Sequence, residues 1–278
     1  MSRLPVQNIK INKYNKEEIL VKEDLLVVEE PLEIRIYFGS KENRNSKTLA
    51  VTMRTPGNDF ELAYGFLFSE GIITSKEAVT QIRYCKEPQS KEEIDNIIIV
   101  HLEENIEVDL KSVERNFYTT SSCGICGKTS IESVCAKTKK ATNEQIINSS
   151  FINSINNELQ QHQILFKHTG GIHAAALFNF NEAFIHLNED IGRHNAVDKL
   201  VGTAIIKEIN TENCILWVSG RAGFELVQKA AMTRIPIMIS VGAPSTLSVN
   251  LAKENNMTLI GFSKSGKFNI YSHPYRVK

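Results

Sequence analysis

Residues 213–262, NCILWVSGRAGFELVQKAAMTRIPIMISVGAPSTLSVNLAKENNMTLIGF, decide the fold. Short apolar runs, CILWVS, IPIMIS and MTLIGF, alternate with FELVQKAAMTR and STLSVNLAKENN, in which apolar residues recur at helical spacing. Apolar runs of that length closed by glycine turns read as strands buried on both faces. Strand, helix and strand in succession require right-handed crossovers, and hence a parallel sheet. A short hairpin then leads to KFNIYS.

Upstream, EDIGRHNAVDK (residues 189–199) reads as the start of a helix capped by Asp190, with His194 and Asp198 four residues apart on neighbouring turns. A carboxylate there could orient the imidazole, but His194 also shares the stripe of Val197 and Val201, so a packed core histidine is an equal alternative. The run GGIHAAA (170–176) reads as a glycine pair leading into a small-residue helix with His173 near its start, a position more often structural than functional. A further helix is expected near Asn143 to Gln161. The first hundred residues are strand-rich: EILVKEDLLVVEE, LEIRIYFG, KTLAVTMR and NIIIVHLEE mix β-branched and charged residues as half-buried antiparallel strands do. One helix interrupts them in RTPGNDFELAYGFLFSEGII, capped by Asn58 or Asp59 and ended by Gly71.

The expected organisation is α+β overall, with an α/β sheet in the C-terminal part. A strand-rich subdomain covers 1–116, a mobile loop 117–140 and an α/β subdomain 141–278. A chain of 278 residues with 32 basic and 32 acidic side chains has no global charge to attract nucleic acid or an anionic membrane. No apolar stretch has the length of a membrane span or the form of a secretory signal, so a cytoplasmic location is expected. In that reducing compartment, five cysteines point to thiol or metal chemistry rather than a disulfide framework.

The strongest local signal is Cys123-Gly124-Ile125-Cys126-Gly127-Lys128, within the loop NFYTTSSCGICGKTSIESVCAKTKK. Two thiols at this spacing can approach each other, the glycines free the backbone, and Lys128 favours the reactive thiolate. Persulfide chemistry fits best. Half of a zinc site is disfavoured, because zinc needs about four ligands and no second Cys-x-x-Cys exists. A thioredoxin-like pair lacks its strand-to-helix setting. A pair of inert surface thiols is the blandest possibility.

The turns Ser219-Gly220-Arg221-Ala222-Gly223 and Val241-Gly242-Ala243-Pro244-Ser245-Thr246 leave two of the parallel strands, where α/β sheets gather ligands and helix N-termini present free N–H groups. Neither matches a dinucleotide or Walker fingerprint. Phe262-Ser263-Lys264-Ser265-Gly266-Lys267 follows the last parallel strand with two cations around a glycine turn, which alone reads as a solvated hairpin tip.

Taken in order, RTPGNDFELAYGFLFSEGII, SSCGICGK, TGGIHAAAL, EDIGRHNAVDKLVG, SGRAGFELVQKAA, VGAPSTLSVNLA and IGFSKSGKFNIY resemble the formate dehydrogenase accessory sulfurtransferase family, FdhD, over nearly the whole chain from about Val51 onward. The resemblance implies a sulfur carrier that takes sulfur from a cysteine desulfurase as a persulfide. It would pass that sulfur to the molybdenum, or tungsten, bis(guanine dinucleotide) cofactor, bound as substrate, for formate dehydrogenase. It implies Cys123 as the persulfide cysteine, Cys126 as its partner, and cofactor binding by Phe262, Ser263, Lys264, Ser265, Gly266 and Lys267. With that cofactor as ligand, the Gly220 and Gly242 turns with Arg221, and Lys264 with Lys267, are expected to hold its guanine-nucleotide phosphates, and Arg193, His194 and Asp198, polar side chains clustered at a helix start, to line the pocket. A cytidine-deaminase-like C-terminal part, a homodimer and no stably bound zinc are also expected. A nucleobase deaminase is disfavoured: His173-Ala174-Ala175 lacks the glutamate of H-x-E, and the Gly220 turn has no cysteines. Two rival functions stay open beside the sulfur carrier, a non-catalytic chaperone that only holds the molybdenum cofactor and a Cys-x-x-Cys redox protein.

Overall fold

The computed structural model describes residues 4–278 apart from 17, 92, 105, 107, 109–137, 139 and 265. The chain is α+β. It opens with a two-stranded ribbon, β1 (Val6–Asn15) and β2 (Glu18–Val27), and continues into β3 (Glu30–Phe38) and β4 (Asn45–Arg54). Helix α1 (Asp59–Ser69) precedes β5 (Val79–Tyr84) and β6 (Ile97–Leu102), which complete a four-stranded sheet of order β4-β3-β6-β5. Along β3 the alternation of LEIRIYF turns Leu32, Ile34 and Ile36 into the core, while Glu33 and Arg35 hydrogen-bond to each other on the opposite face. The expectation of antiparallel pairing holds for β3–β4 and β5–β6, but β3 and β6 run parallel, since α1 and β5 intervene between them as a crossover.

Next come α2 (Ser149–Leu159), α3 (Ile164–Thr169), β7 (His173–Asn179), β8 (Phe184–Asp190) and α4 (Arg193–Ile206). The alternating segment then supplies β9 (Cys214–Val218), α5 (Phe224–Met232), β10 (Ile237–Ser240), α6 (Thr246–Glu254) and β11 (Thr258–Lys264), and β12 (Lys267–Ser272) closes the hairpin. The resulting six-stranded sheet has order β12-β11-β10-β9-β7-β8. Its centre, β9-β10-β11, is parallel as expected, and the strands added at either side are antiparallel. Ile215 and Trp217 of β9 face α2, whose Phe151, Ile152 and Ile155 cover that side, while Leu216 and Val218 pack against α4 and α5.

Two expectations fail here. Residues 173–179 form a strand, not a small-residue helix. Ala174, Ala176 and Phe178 point to α2 while Ala175 and Leu177 point to α4, so a sheet position buried on both faces overrides the helical propensity of alanine. Asp190 ends β8 rather than capping α4, whose N-cap position is Gly192.

The two sheets are joined through α1 and α4. A Cβ on Gly65 would overlap the Asp198 carbonyl, and one on Gly202 would overlap the Glu61 carbonyl, so only glycine permits this approach of the helix backbones. Buried ion pairs flank the contact. Lys229 Nζ holds both Asp198 oxygens at 2.8 and 2.9 Å while Ser69 donates to the same carboxylate, and Arg54 grips Asp59 through two hydrogen bonds with Tyr84 as a third partner. Burial works against the Lys229 ammonium, but Asp198 and Glu70 outweigh it and its pKa stands above the usual lysine value. Gly202→Ala or Gly65→Ala is expected to lower unfolding stability by about 1–3 kcal/mol or more, as overpacking does. Gly171→Ala, whose added methyl would meet nothing nearer than 3.9 Å, should leave the urea midpoint close to wild type.

Candidate functional site

The turns leaving the parallel strands converge. The Gly220 carbonyl accepts from the Gly242 N–H at 3.0 Å and from the Ser240 hydroxyl at 2.8 Å, and the Gly242 carbonyl accepts from Phe262 N–H at 3.1 Å. Glycine is required at 242 because a Cβ there would stand 2.9 Å from Cα and Cγ of Arg221. These contacts bring Gly220, Arg221, Gly242 and Phe262 together at the carboxyl ends of β9, β10 and β11, with the Arg221 side chain exposed. Phe262 has φ 54° and is half exposed, and Gly266 has φ 74° at the hairpin turn between Lys264 and Lys267. Non-glycine residues seldom adopt positive φ, so β11 carries a strained step at Phe262, where its register with β12 shifts between Gly261 and Lys264.

Beside these turns, on the α2 side of the sheet, lies a cavity of about 770 Å³. Asn156 and Asn157 line it from α2 and Gln160 from the C-cap position that follows, Trp217 and Ser219 from the end of β9, His173 from β7 and Lys264 from β11. Its wall is rich in neutral amides, with a cation from Lys264. Ser219 Oγ accepts from the Ala174 N–H at 2.9 Å and stands 3.4 Å from His173 Nδ1. Burial, then the nearby Arg193 and His194, push the His173 pKa below the usual histidine value despite Asp190, so the imidazole offers one donor and one acceptor rather than a charge.

The predicted residues fall into distinct groups. Lys264 lines the cavity, and Lys267 faces it across the hairpin register. Ser263 is buried, its hydroxyl directed at the Ile152 carbonyl and its own carbonyl accepting from Asn156, so its side chain serves the core instead of the cavity. Arg193 stands behind Gly220, and its Nε is buried with no hydrogen-bond partner among the described residues. The expected His194–Asp198 couple does not form. His194 Nε2 lies 2.7 Å from Glu225 Oε2 at the start of α5, whereas Asp198 is buried under Lys229 and Ser69, because their positions on α4 face different neighbours. Asp198 is therefore structural. Cys123, Cys126 and Ser265 lie outside the described residues. Among the described residues, no group of three or more His, Cys, Asp or Glu side chains is placed to hold a metal ion.

Sequence reasoning missed Asn156, Asn157, Gln160 and Trp217. The available signal was the amide-rich stretch NSINNELQQHQ (153–163), whose Ile155 and Leu159 fix the helix face that meets the sheet.

The acid side of stability should register His173. Its neutral form favours the folded state fully above pH ~6.5, the ordinary histidine value, and that contribution declines as pH falls from there toward the lower folded-state pKa. His101 and His186 are pushed in the same direction, mainly by burial, and contribute to the same decline. His173→Gln is expected to reduce the pH slope of unfolding below pH ~6.5 by up to about one proton, measured by urea denaturation at a series of pH values from there downward.

Comparison with known proteins agrees with the order of these elements. The FdhD/NarQ family matches residues 27–278. The sulfur carrier protein FdhD of Mycolicibacterium paratuberculosis is 42% identical over 264 residues, covering 94% of each chain. That of Picrophilus torridus is 44% identical over 257 residues, covering 91% of this chain and 92% of the relative. The Sulfurisphaera tokodaii protein of the same name is 38% identical over 275 residues, 99% of this chain and 100% of the relative. In fold, the chain is similar to a crystal structure from Desulfotalea psychrophila described as a "putative formate dehydrogenase accessory protein", with TM-score 0.77 and 23% identity over 99% of this chain and 100% of that one. With identity of this order sustained across both lengths, and a family match running from the end of the ribbon to the last residue, the chain belongs to the FdhD/NarQ family.

Proposed function

We propose that this protein is a sulfur carrier for formate dehydrogenase maturation. Sulfur is loaded on Cys123 as a persulfide by a cysteine desulfurase and passed to a molybdenum or tungsten bis(guanine dinucleotide) cofactor held as substrate at the carboxyl ends of β9, β10 and β11. The observation that carries the proposal is the convergence of the Gly220, Gly242 and Phe262 turns beside a cavity with Lys264 in its wall. The names of the relatives support the sulfur-carrier part. Arg221, Lys264 and Lys267 supply cations for nucleotide phosphates, and Arg193 has a buried N–H to spare beside Gly220. His194, tied to Glu225, orients that region. The cofactor's flat heterocycle lies in the amide-lined cavity. The protein works in the cytoplasm as a homodimer.

The chemistry of the thiols is balanced in either of two ways. Cys126 thiolate attacks the Cys123 sulfur, the S–S bond breaks, and the outer sulfur leaves as hydrosulfide with a Cys123–Cys126 disulfide left behind. Otherwise the outer sulfur is taken by the metal centre, which supplies the two electrons, and Cys123 departs as a thiolate.

The test is intact mass after incubation with a desulfurase and cysteine. Wild type should gain one sulfur atom, labile to cyanide, and Cys123→Ala should gain none and should reduce formate dehydrogenase activity in cells to background. A Cys123→Ala protein that supports full activity would make this a cofactor chaperone, and a reversible Cys123–Cys126 disulfide without labile sulfur would make it a redox protein.

A further inference from the structure

Asn156 sits in the C-terminal half of α2 and lines the cavity. Its Oδ1 accepts the Trp217 indole N–H at 3.0 Å, and its Nδ2 donates to the Ser263 carbonyl at 2.7 Å. An indole N–H only donates and a carbonyl only accepts, so the amide has one permitted orientation. Turning it over would set Nδ2 against an N–H and Oδ1 against a carbonyl. Each atom nevertheless keeps one unused valence, a second lone pair on Oδ1 and a second N–H on Nδ2.

Resting on the cofactor site proposed above, we infer that Asn156 is a specificity-determining residue that reads the lactam edge of guanine, the adjacent ring N–H and C=O, and discriminates against adenine. A freely rotating amide could serve either base, because guanine presents donor then acceptor along this edge and adenine presents them in the reverse order. Trp217 and Ser263 remove that freedom. Adenine could then satisfy the fixed amide only by turning over, and that would carry its ribose away from phosphates anchored at Lys264. Ser263 is buried against α2 and Trp217 is buried within β9, so the amide is held by rigid parts of the fold. Pterins carry the same lactam edge. Guanine is the occupant assigned here, because it reaches the cavity on a ribose diphosphate that the neighbouring cations can hold.

The experiment measures binding of guanosine, inosine and adenosine diphosphates and of free pterin to the full chain, by calorimetry and by the fluorescence of Trp217, its sole tryptophan. Wild type should prefer the guanosine and inosine diphosphates, which share the lactam edge, over adenosine diphosphate by about ten- to a hundredfold. Asn156→Ala should bring the three nucleotides near parity, and Asn153→Ala, at an exposed position of the same helix outside the cavity lining, should keep the preference. If Asn156→Ala does not fold, Asn156→Gln carries the same test: it keeps a neutral amide but, being longer by a methylene, cannot hold it against both Trp217 and Ser263, and it should weaken guanosine diphosphate more than adenosine diphosphate. A wild type that binds neither lactam nucleotide overturns the cofactor site together with this inference. A guanine preference that survives in both Asn156 variants overturns the inference alone, and Asn156-dependent binding of pterin without guanosine diphosphate overturns the assignment to guanine.

Discussion

The buried carboxylate of Asp190 is the constraint on which the arrangement rests. Its oxygens accept from Thr55 N–H, Gly192 N–H and the Asn195 amide and lie 2.7 Å from Lys199 Nζ, and Lys199 in turn donates to the Thr55 carbonyl. Asn195 completes the circuit by donating to the Met53 carbonyl and accepting from Thr52. One side chain thus ties the end of β4, the end of β8 and the first turn of α4. An ion pair removed from water is a weak source of stability compared with a well-packed apolar substitute, but it is unforgiving of displacement, since either partner alone would be a buried uncompensated charge. Its physical contribution is register. The four-stranded sheet cannot slide along α4 without abandoning bonds that nothing else in the core could replace.

That register governs the site. His173 is the cross-strand partner of Asp190, so the same anchoring that joins the sheets fixes the strand end bearing the imidazole. Gly220, beside His173, follows β9, the next strand over. The turns at the strand ends are therefore positioned by strands whose far sides are packed by α4 and α5, and those helices are held by the Asp198–Lys229 pair and the glycine contact with α1. Functional geometry at a strand end is as rigid as the sheet beneath it.

Much of this was legible in the sequence where the local pattern and the tertiary environment agree. From Cys214 to Lys264, apolar runs of strand length separate helical periods, and no competing arrangement buries both. The turns at Gly220 and Gly242 were legible for the same reason, being the only exits from those strands. Legibility failed where an element takes its form from its neighbours. The alanines of β7 are small because α2 and α4 press on both sides of the sheet, yet alanine read locally favours a helix. His194 and Asp198 share a helical spacing, but their partners, Glu225 and Lys229, come from α5, and no spacing within one segment announces a partner from another. The amides of α2 were passed over because asparagine and glutamine on a helix usually mark a solvated face, and only the sheet packed beneath Ile155 turns them toward a cavity.

The electrostatic character of the site follows from which charges are already spent. Asp190, Asp198 and Asp59 are consumed by Lys199, Lys229 and Arg54 in the interior, and Glu225 is taken up by His194. At the strand ends this leaves Arg221, Lys264 and Lys267 exposed to solvent, next to a neutral His173 and uncharged amides. Such a surface attracts an anion through its rim while its cavity distinguishes ligands by hydrogen-bond pattern, because a low-dielectric wall of neutral donors and acceptors penalises every unmatched group. Affinity and selectivity are thereby assigned to different residues. In the proposed cofactor site, a rim cation would set the affinity for every nucleotide alike, while Asn156 would set which heterocycle is accepted.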